Sequence, residues 1–118
     1  MTLRGDVVIV EFPYVGGGRG KNRPALVVQC DRLNRQIQNT VVAMITGNLR
    51  LVGREPTQFL IDPSVPEGQS SGLAYASAAK CQNLVTVAQA DILSTIGHLS
   101  NVLKQKLNDC LKEALELP

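Results

Sequence analysis

The stretch "GDVVIVEFPYVGGGRGKNRPALVVQ", residues 5–29, decides the fold. Its first part, "DVVIVEF" at 6–12, is dense in β-branched residues and predicts a strand. Its last part, "PALVVQ" at 24–29, is apolar enough for a central strand, with Pro24 at the first position, where a strand tolerates proline. Between them "PYVGGGRGKN" carries four glycines and reads as a long loop. The second strand is entered through cations: Arg19, Lys21 and Arg23 precede its apolar run. A glycine-rich arm ending on a strand that carries an arginine is an arrangement suited to an anion.

Working outward, "TVVAMIT" at 40–46 predicts a third strand and "TQFLID" at 57–62 a fourth, half-buried by its alternation. "CDRLNRQIQN" is a polar connection with room for one helical turn. "GNLRLVGRE" is a basic loop. "PSVPEGQSSG" has two prolines and two glycines and reads as a mobile loop. "LAYASAAKCQNLVTV", 73–87, predicts one bent strand or two, and "AQADILSTIG" a short helical turn. The period then changes. Leu99, Val102, Leu103, Leu107, Cys110, Leu111, Ala114 and Leu115 share one face of a helix, with Ser100 or Asn101 available as its cap. Five or six short strands closed by a C-terminal amphipathic helix make an α+β, mainly β chain, read as a small, partly open barrel. No repeat or linker divides it, so residues 1–118 are read as a single domain.

The charge is uneven. The whole chain carries +2, but residues 19–54 hold Arg19, Lys21, Arg23, Arg32, Arg35, Arg50 and Arg54 against one acid, Asp31. Such a local basic field suits a nucleic-acid partner. Three cysteines, Cys30, Cys81 and Cys110, are odd in number and widely spaced, which argues against a disulfide framework and against a zinc site. One histidine, His98, rules out a two-histidine ribonuclease mechanism. No apolar run approaches the ~18 residues of a membrane span. The N-terminus lacks the long apolar region of a secretory signal, so a cytoplasmic location is expected.

The residues now quoted carry a resemblance. "GDVVIVEF", a glycine-containing loop and "RPALVVQ" resemble the opening of the MazF/PemK family of toxins from bacterial toxin–antitoxin pairs. "NTVVAMIT" resembles that family's third-strand block, and "SGLAYASAAKCQNLVTV" its later block around Lys-Cys. The resemblance runs over essentially the whole chain, in the family's order. It implies an SH3-like barrel, a homodimer, and a metal-independent, cofactor-free endoribonuclease. Such an enzyme cuts single-stranded mRNA at short sequences, leaving 2′,3′-cyclic phosphate and 5′-hydroxyl ends. The implied protein partner is a MazE-like antitoxin. Carried over by position, the catalytic pair is Arg23 and Thr46, and Gln82 and Asn83 stand where the family has Asp and Gln. Gly17 and Gly18 stand where many members have Ser-Glu, leaving the general base without a residue.

Chemistry supports part of this. Attack of a 2′-hydroxyl on the adjacent phosphate is helped most by preorganised positive charge, and a guanidinium matches phosphate oxygens with paired donors. A threonine hydroxyl can bond the phosphate or orient the 2′-hydroxyl, although only the resemblance singles out Thr46. Arg19 and Lys21 are candidate phosphate contacts, Lys80, Gln82 and Asn83 candidate RNA contacts, with the amides of Gln82 and Asn83 able to read base edges, and Tyr14 the best candidate for stacking. Two alternatives stay open: a non-catalytic CcdB-like inhibitor of a protein such as gyrase, and a degenerate toxin that binds RNA or antitoxin but cuts poorly.

Overall fold

The computed structural model of the chain describes residues 2–12 and 21–118. The strands are β1 (Asp6–Phe12), β2 (Lys21–Val27), β3 (Asn39–Thr46), β4 (Gln58–Ile61), β5 (Ser77–Ala88) and β6 (Ile92–His98). The helices are α1 (Asp31–Gln36) and α2 (Asn101–Leu115), with 3-10 turns at Pro66–Ser71 and Gln89–Asp91. The strands form one antiparallel sheet in the order β4-β5-β3-β2-β1-β6. The expected barrel is thus an open one, with β4 and β6 as its free edges. The segment "AQADILSTIG", read from sequence as holding a short helical turn, turns at Gln89–Asp91, and from Ile92 onward it belongs to β6. Within β6 the β-branched Ile92 and Thr95 pair with Val10 and Val8 of β1.

Both faces of the sheet are apolar, because residues of opposite parity along β1, β2 and β3 enter different cores. Val7, Leu26, Ala43 and Ile45 pack with Phe59, Ile61, Ala79 and Cys81 beneath Leu103, Leu107 and Cys110 of α2. Val8, Val10, Ala25, Val27 and Val42 form the second core, covered by Val85, Val87 and Ile92. One bent strand serves both. On β5, Lys80 pairs with Met44 and Leu84 with Ala43, so residues 81–83 bulge out opposite a single step of β3. Cys81, inside that bulge, donates its N–H to the Thr57 carbonyl and keeps β4 attached.

The Gly5-Asp6 pair, where β1 begins, is a joint. Gly5 has φ +92°, which favours glycine. It donates to the Val27 carbonyl, and its own carbonyl accepts from Leu99. Asp6, 7% exposed, accepts from the Leu3 N–H through Oδ2 (2.9 Å) and holds His98 Nδ1 at 2.8 Å from Oδ1. The chain start, β2, β6 and the entry to α2 therefore meet at one point.

The segment read as a second mobile loop is instead a packed 3-10 turn, Pro66–Ser71. Ser71 is buried, Ser70 Oγ donates to the His98 carbonyl, and Ser100 Oγ to the Glu67 carbonyl at 2.8 Å. A side chain at Gly97 would overlap the backbone of Ser70 and Ser71, so the turn lies directly on β6. Helix α2 begins under the predicted cap: Ser100 Oγ accepts the Leu103 N–H at 3.3 Å. Among the described residues no helix is long and apolar enough to cross a membrane.

Candidate functional site

The site begins with a missing donor. β2 and β3 pair as Val27↔Val42, Leu26↔Ala43 and Ala25↔Met44, and the ladder stops there. Val28 donates to the Val41 carbonyl. Alternation along an antiparallel ladder makes 26/43 and then 24/45 the next bonding positions. Position 24 is proline and has no N–H to give Ile45. β2 runs on along β1 to Lys21, with Arg23 opposite Val10. β3 runs on along β5 to Thr46, opposite Ala78. The two strands part, and a wedge opens between them. Pro24 is therefore not at the start of its strand, as expected from sequence, but at its fourth position, where it ends the pairing with β3.

A cavity of about 310 Å³ fills the wedge. Arg23 and Pro24 border it on one side and Ile45, Thr46 and Gly47 on the other. Ile9, Ile96, Leu73 and Tyr75 complete its apolar wall. Continuing the register Ala25↔Met44 by two places sets Arg23 opposite Thr46, on the same face of the sheet. Arg23 is exposed and makes no hydrogen bond or ion pair among the described residues; the only salt bridge there is Asp6–His98. The Thr46 hydroxyl oxygen accepts the Asn48 N–H at 3.2 Å, which leaves its proton for an outside acceptor. A guanidinium with no acidic partner among the described residues, across an apolar cleft from a hydroxyl, can hold a tetrahedral anion.

Next to this cavity, and sharing Thr46 with it, lies a second of about 150 Å³, bordered by Asn48, Arg50, Leu51, Gln58 and Lys80. Lys80 sits directly opposite Gln58 on β4 and opposite Met44 on β3. Arg23, Thr46, Lys80 and Gln58 thus share one face of four neighbouring strands.

The predicted residues divide accordingly. Arg23 and Thr46 come together, and Lys80 joins them through the second cavity. Lys21 is exposed at the start of β2, opposite Phe12. Gln82 and Asn83 are exposed on the β5 bulge and border neither cavity. Tyr14 and Arg19 lie outside the described residues, as do Gly17 and Gly18. Among the described residues no Asp, Glu or His borders either cavity, and Glu11 pairs with Asn22, one step beyond Arg23. Among the described residues no cluster of three or more His, Cys, Asp or Glu could hold a metal.

Tyr75 was missed by sequence reasoning. It is 65% exposed, and its Cε2 stands 3.0 Å from where a Cβ on Gly47 would be, so the ring lies over the residue that follows Thr46. A lone tyrosine among small residues in "SGLAYAS" was the available signal. Gln58 and Asn48 were also missed, since nothing in their local sequence marks them, whereas Arg50 was read only as one cation of the basic field.

Comparison with known proteins gives a consistent picture. The family described as "PemK-like, MazF-like toxin of type II toxin-antitoxin system" matches residues 3–115. The Endoribonuclease EndoA of Bacillus subtilis (strain 168) is 30% identical over 118 residues, covering 99% of this chain and 97% of that protein. A mycobacterial endoribonuclease, solved in complex with its cognate antitoxin, superposes with a TM-score of 0.76 at 25% identity, covering 100% of this chain and 98% of that one. MazF from Deinococcus radiodurans, in a MazE–MazF crystal structure, shares the fold with a TM-score of 0.75 at 15% identity over 99% of this chain and 98% of that one.

Proposed function

Because the chain belongs to the PemK-like, MazF-like toxin family of type II toxin–antitoxin systems, we propose that it is an endoribonuclease toxin that cuts single-stranded mRNA in the cytoplasm and is neutralised by a MazE-like antitoxin. The observation that carries this reading is the wedge: Arg23, without an acidic partner among the described residues, faces Thr46 across one cavity.

The reaction is an in-line displacement. The 2′-oxygen forms a bond to the adjacent phosphorus, and the bond from phosphorus to the 5′-oxygen breaks. The 2′-hydroxyl loses its proton and the leaving 5′-oxygen gains one, giving 2′,3′-cyclic phosphate and 5′-hydroxyl ends. Arg23 neutralises the charge that grows on the equatorial oxygens. Thr46 donates its hydroxyl proton to one of them, held in direction by the Asn48 N–H. With no carboxylate or imidazole bordering the cavity among the described residues, orientation and charge carry the rate and the 2′-proton leaves to solvent. No metal enters this scheme. Lys21, Lys80, Gln82 and Asn83, together with Arg19 and Tyr14, stand as RNA contacts, and the active form is a homodimer of the single domain 1–118.

The test is incubation of long single-stranded RNA with the protein in excess EDTA, beside Arg23→Ala. Discrete cuts with 5′-hydroxyl ends, lowered about 10²–10³-fold in the variant, are expected. A folded wild type that leaves diverse RNAs intact would overturn the reading and bring forward the gyrase-type inhibitor and the degenerate toxin.

A further inference from the structure

The smaller cavity contains a group that folding alone does not explain. Gln58 is only 7% exposed, and its side-chain amide makes no hydrogen bond among the described residues. No side-chain nitrogen or oxygen there is both sealed and unpaired, so this amide keeps its opening on the cavity that Gln58 borders. An amide that the fold holds in a mostly buried side chain, open only to a cavity, is left for water or a ligand to satisfy. Around it stand two cations, Arg50 and Lys80, neither with an acidic partner among the described residues. Arg50 is set by its own loop: the Asn48 side chain accepts the Arg50 N–H at 3.0 Å. Lys80 is set by its place opposite Gln58. Two donors of positive charge and one two-sided amide converge on a space of about 150 Å³. A space of that size admits a small polar group such as a phosphate or a base edge.

Resting on the ribonuclease reading, we propose that this cavity is a specificity subsite for the nucleotide next to the scissile phosphate. Thr46 borders both cavities, so an RNA strand with its scissile phosphate between Arg23 and Thr46 has its next unit at Lys80 and Arg50. Those cations hold the neighbouring phosphate, which fixes register but carries no sequence information. The Gln58 amide supplies an adjacent donor and acceptor to the base edge. An unstacked base presents such an edge, and an amide that would be left unpaired by the wrong base discriminates strongly. Sequence preference is thereby assigned to Gln58, and affinity to Lys80 and Arg50.

The experiment maps cut sites on a long RNA for wild type, Gln58→Leu and Lys80→Ala. KM and kcat are measured on one short cognate RNA at several salt concentrations, with thermal melts to verify folding. Gln58→Leu is expected to keep cutting while base preference at a single position of the cut sequence falls at least fivefold. Lys80→Ala is expected to raise KM about tenfold with kcat within twofold, and to lower the salt dependence of binding by about one phosphate's share. If wild type cuts and both variants keep its profile and its KM, the subsite is overturned and the ribonuclease reading stands. If Gln58→Leu fails to fold, Lys80→Ala and Arg50→Ala decide the matter, since unchanged KM in both overturns it. A wild type that cuts no RNA overturns the ribonuclease reading itself, and the subsite with it.

Discussion

Tyr75 places a ring at the mouth of the wedge with most of its surface in solvent. An exposed aromatic beside a phosphate-sized cleft is a stacking platform for one base, and removal of such a contact costs about 1–3 kcal/mol. Tyr75→Ala is therefore expected to raise KM for short RNA about 5- to 150-fold, while Tyr75→Phe, which keeps the ring, stays within about twofold of wild type. Steady-state kinetics on one cognate oligonucleotide checks both; equal losses in the two variants would move the role from the ring to the hydroxyl. At this scale the sequence was only partly informative. Arg23 is legible as a cation entering an apolar strand, whereas Thr46 is one more β-branched residue until register sets it across from Arg23. Register is a property of two strands together, so neither strand's sequence states it. Tyr75 and Gln58 owe their importance to the same cause: each acquires its neighbours from another part of the chain.

At the scale of elements, the wedge rests on one imino acid. Pro24→Val restores the N–H that position 45 lacks and suits a strand better than proline does. The variant is expected to extend the β2–β3 ladder past Ala25–Met44, to melt no lower than wild type, and to lose RNA cleavage by at least tenfold as the cavity narrows. Hydrogen exchange at the new amide, set beside the cleavage rate, checks this; a protected amide with full activity would refute the account of the wedge. The C-terminal helix offers an independent test. Ser100 caps α2 and also donates to Glu67, so Ser100→Ala is expected to cost about 1–2 kcal/mol in denaturant midpoint analysis. Strands β1 and β3 and helix α2 were readable from β-branched runs and a 3.6-residue period. β6 was not, because its alternation is irregular and its exposed edge accepts Leu93, Ser94 and Thr95 equally. The packed turn at 66–71 was read as a loop because prolines and glycines mark a turn without saying what lies against it.

At the scale of the molecule, α2 and the sheet are joined by a core that contains two thiols. Cys81 of β5 and Cys110 of α2 are both buried in the same cluster, whereas Cys30 is exposed. Burial, reinforced by the neighbouring Cys110, pushes the Cys81 thiol from about 9 up to about 12. Burial, with Asp109 next in effect, raises Cys110 as well. A thiol reagent at neutral pH is thus expected to label Cys30 alone until the chain unfolds. The same shifts set a pH dependence. Between pH ~9 and ~12 the unfolded chain releases the Cys81 proton and the folded chain retains it, so the unfolded state binds fewer protons and stability falls as pH rises. Below pH 9 both states are protonated and this contribution is flat. Lysines and tyrosines also titrate in that window, so the measurement is a difference. Cys81→Ala/Cys110→Ala is expected to be less stable than wild type at pH 7, because it leaves a cavity under α2. It is also expected to lose stability less steeply from pH 8 to pH 10.5. Parallel slopes for the two proteins would mean that water reaches the thiols, and that the seam between helix and sheet, which backs the strands carrying Arg23 and Thr46, opens in solution.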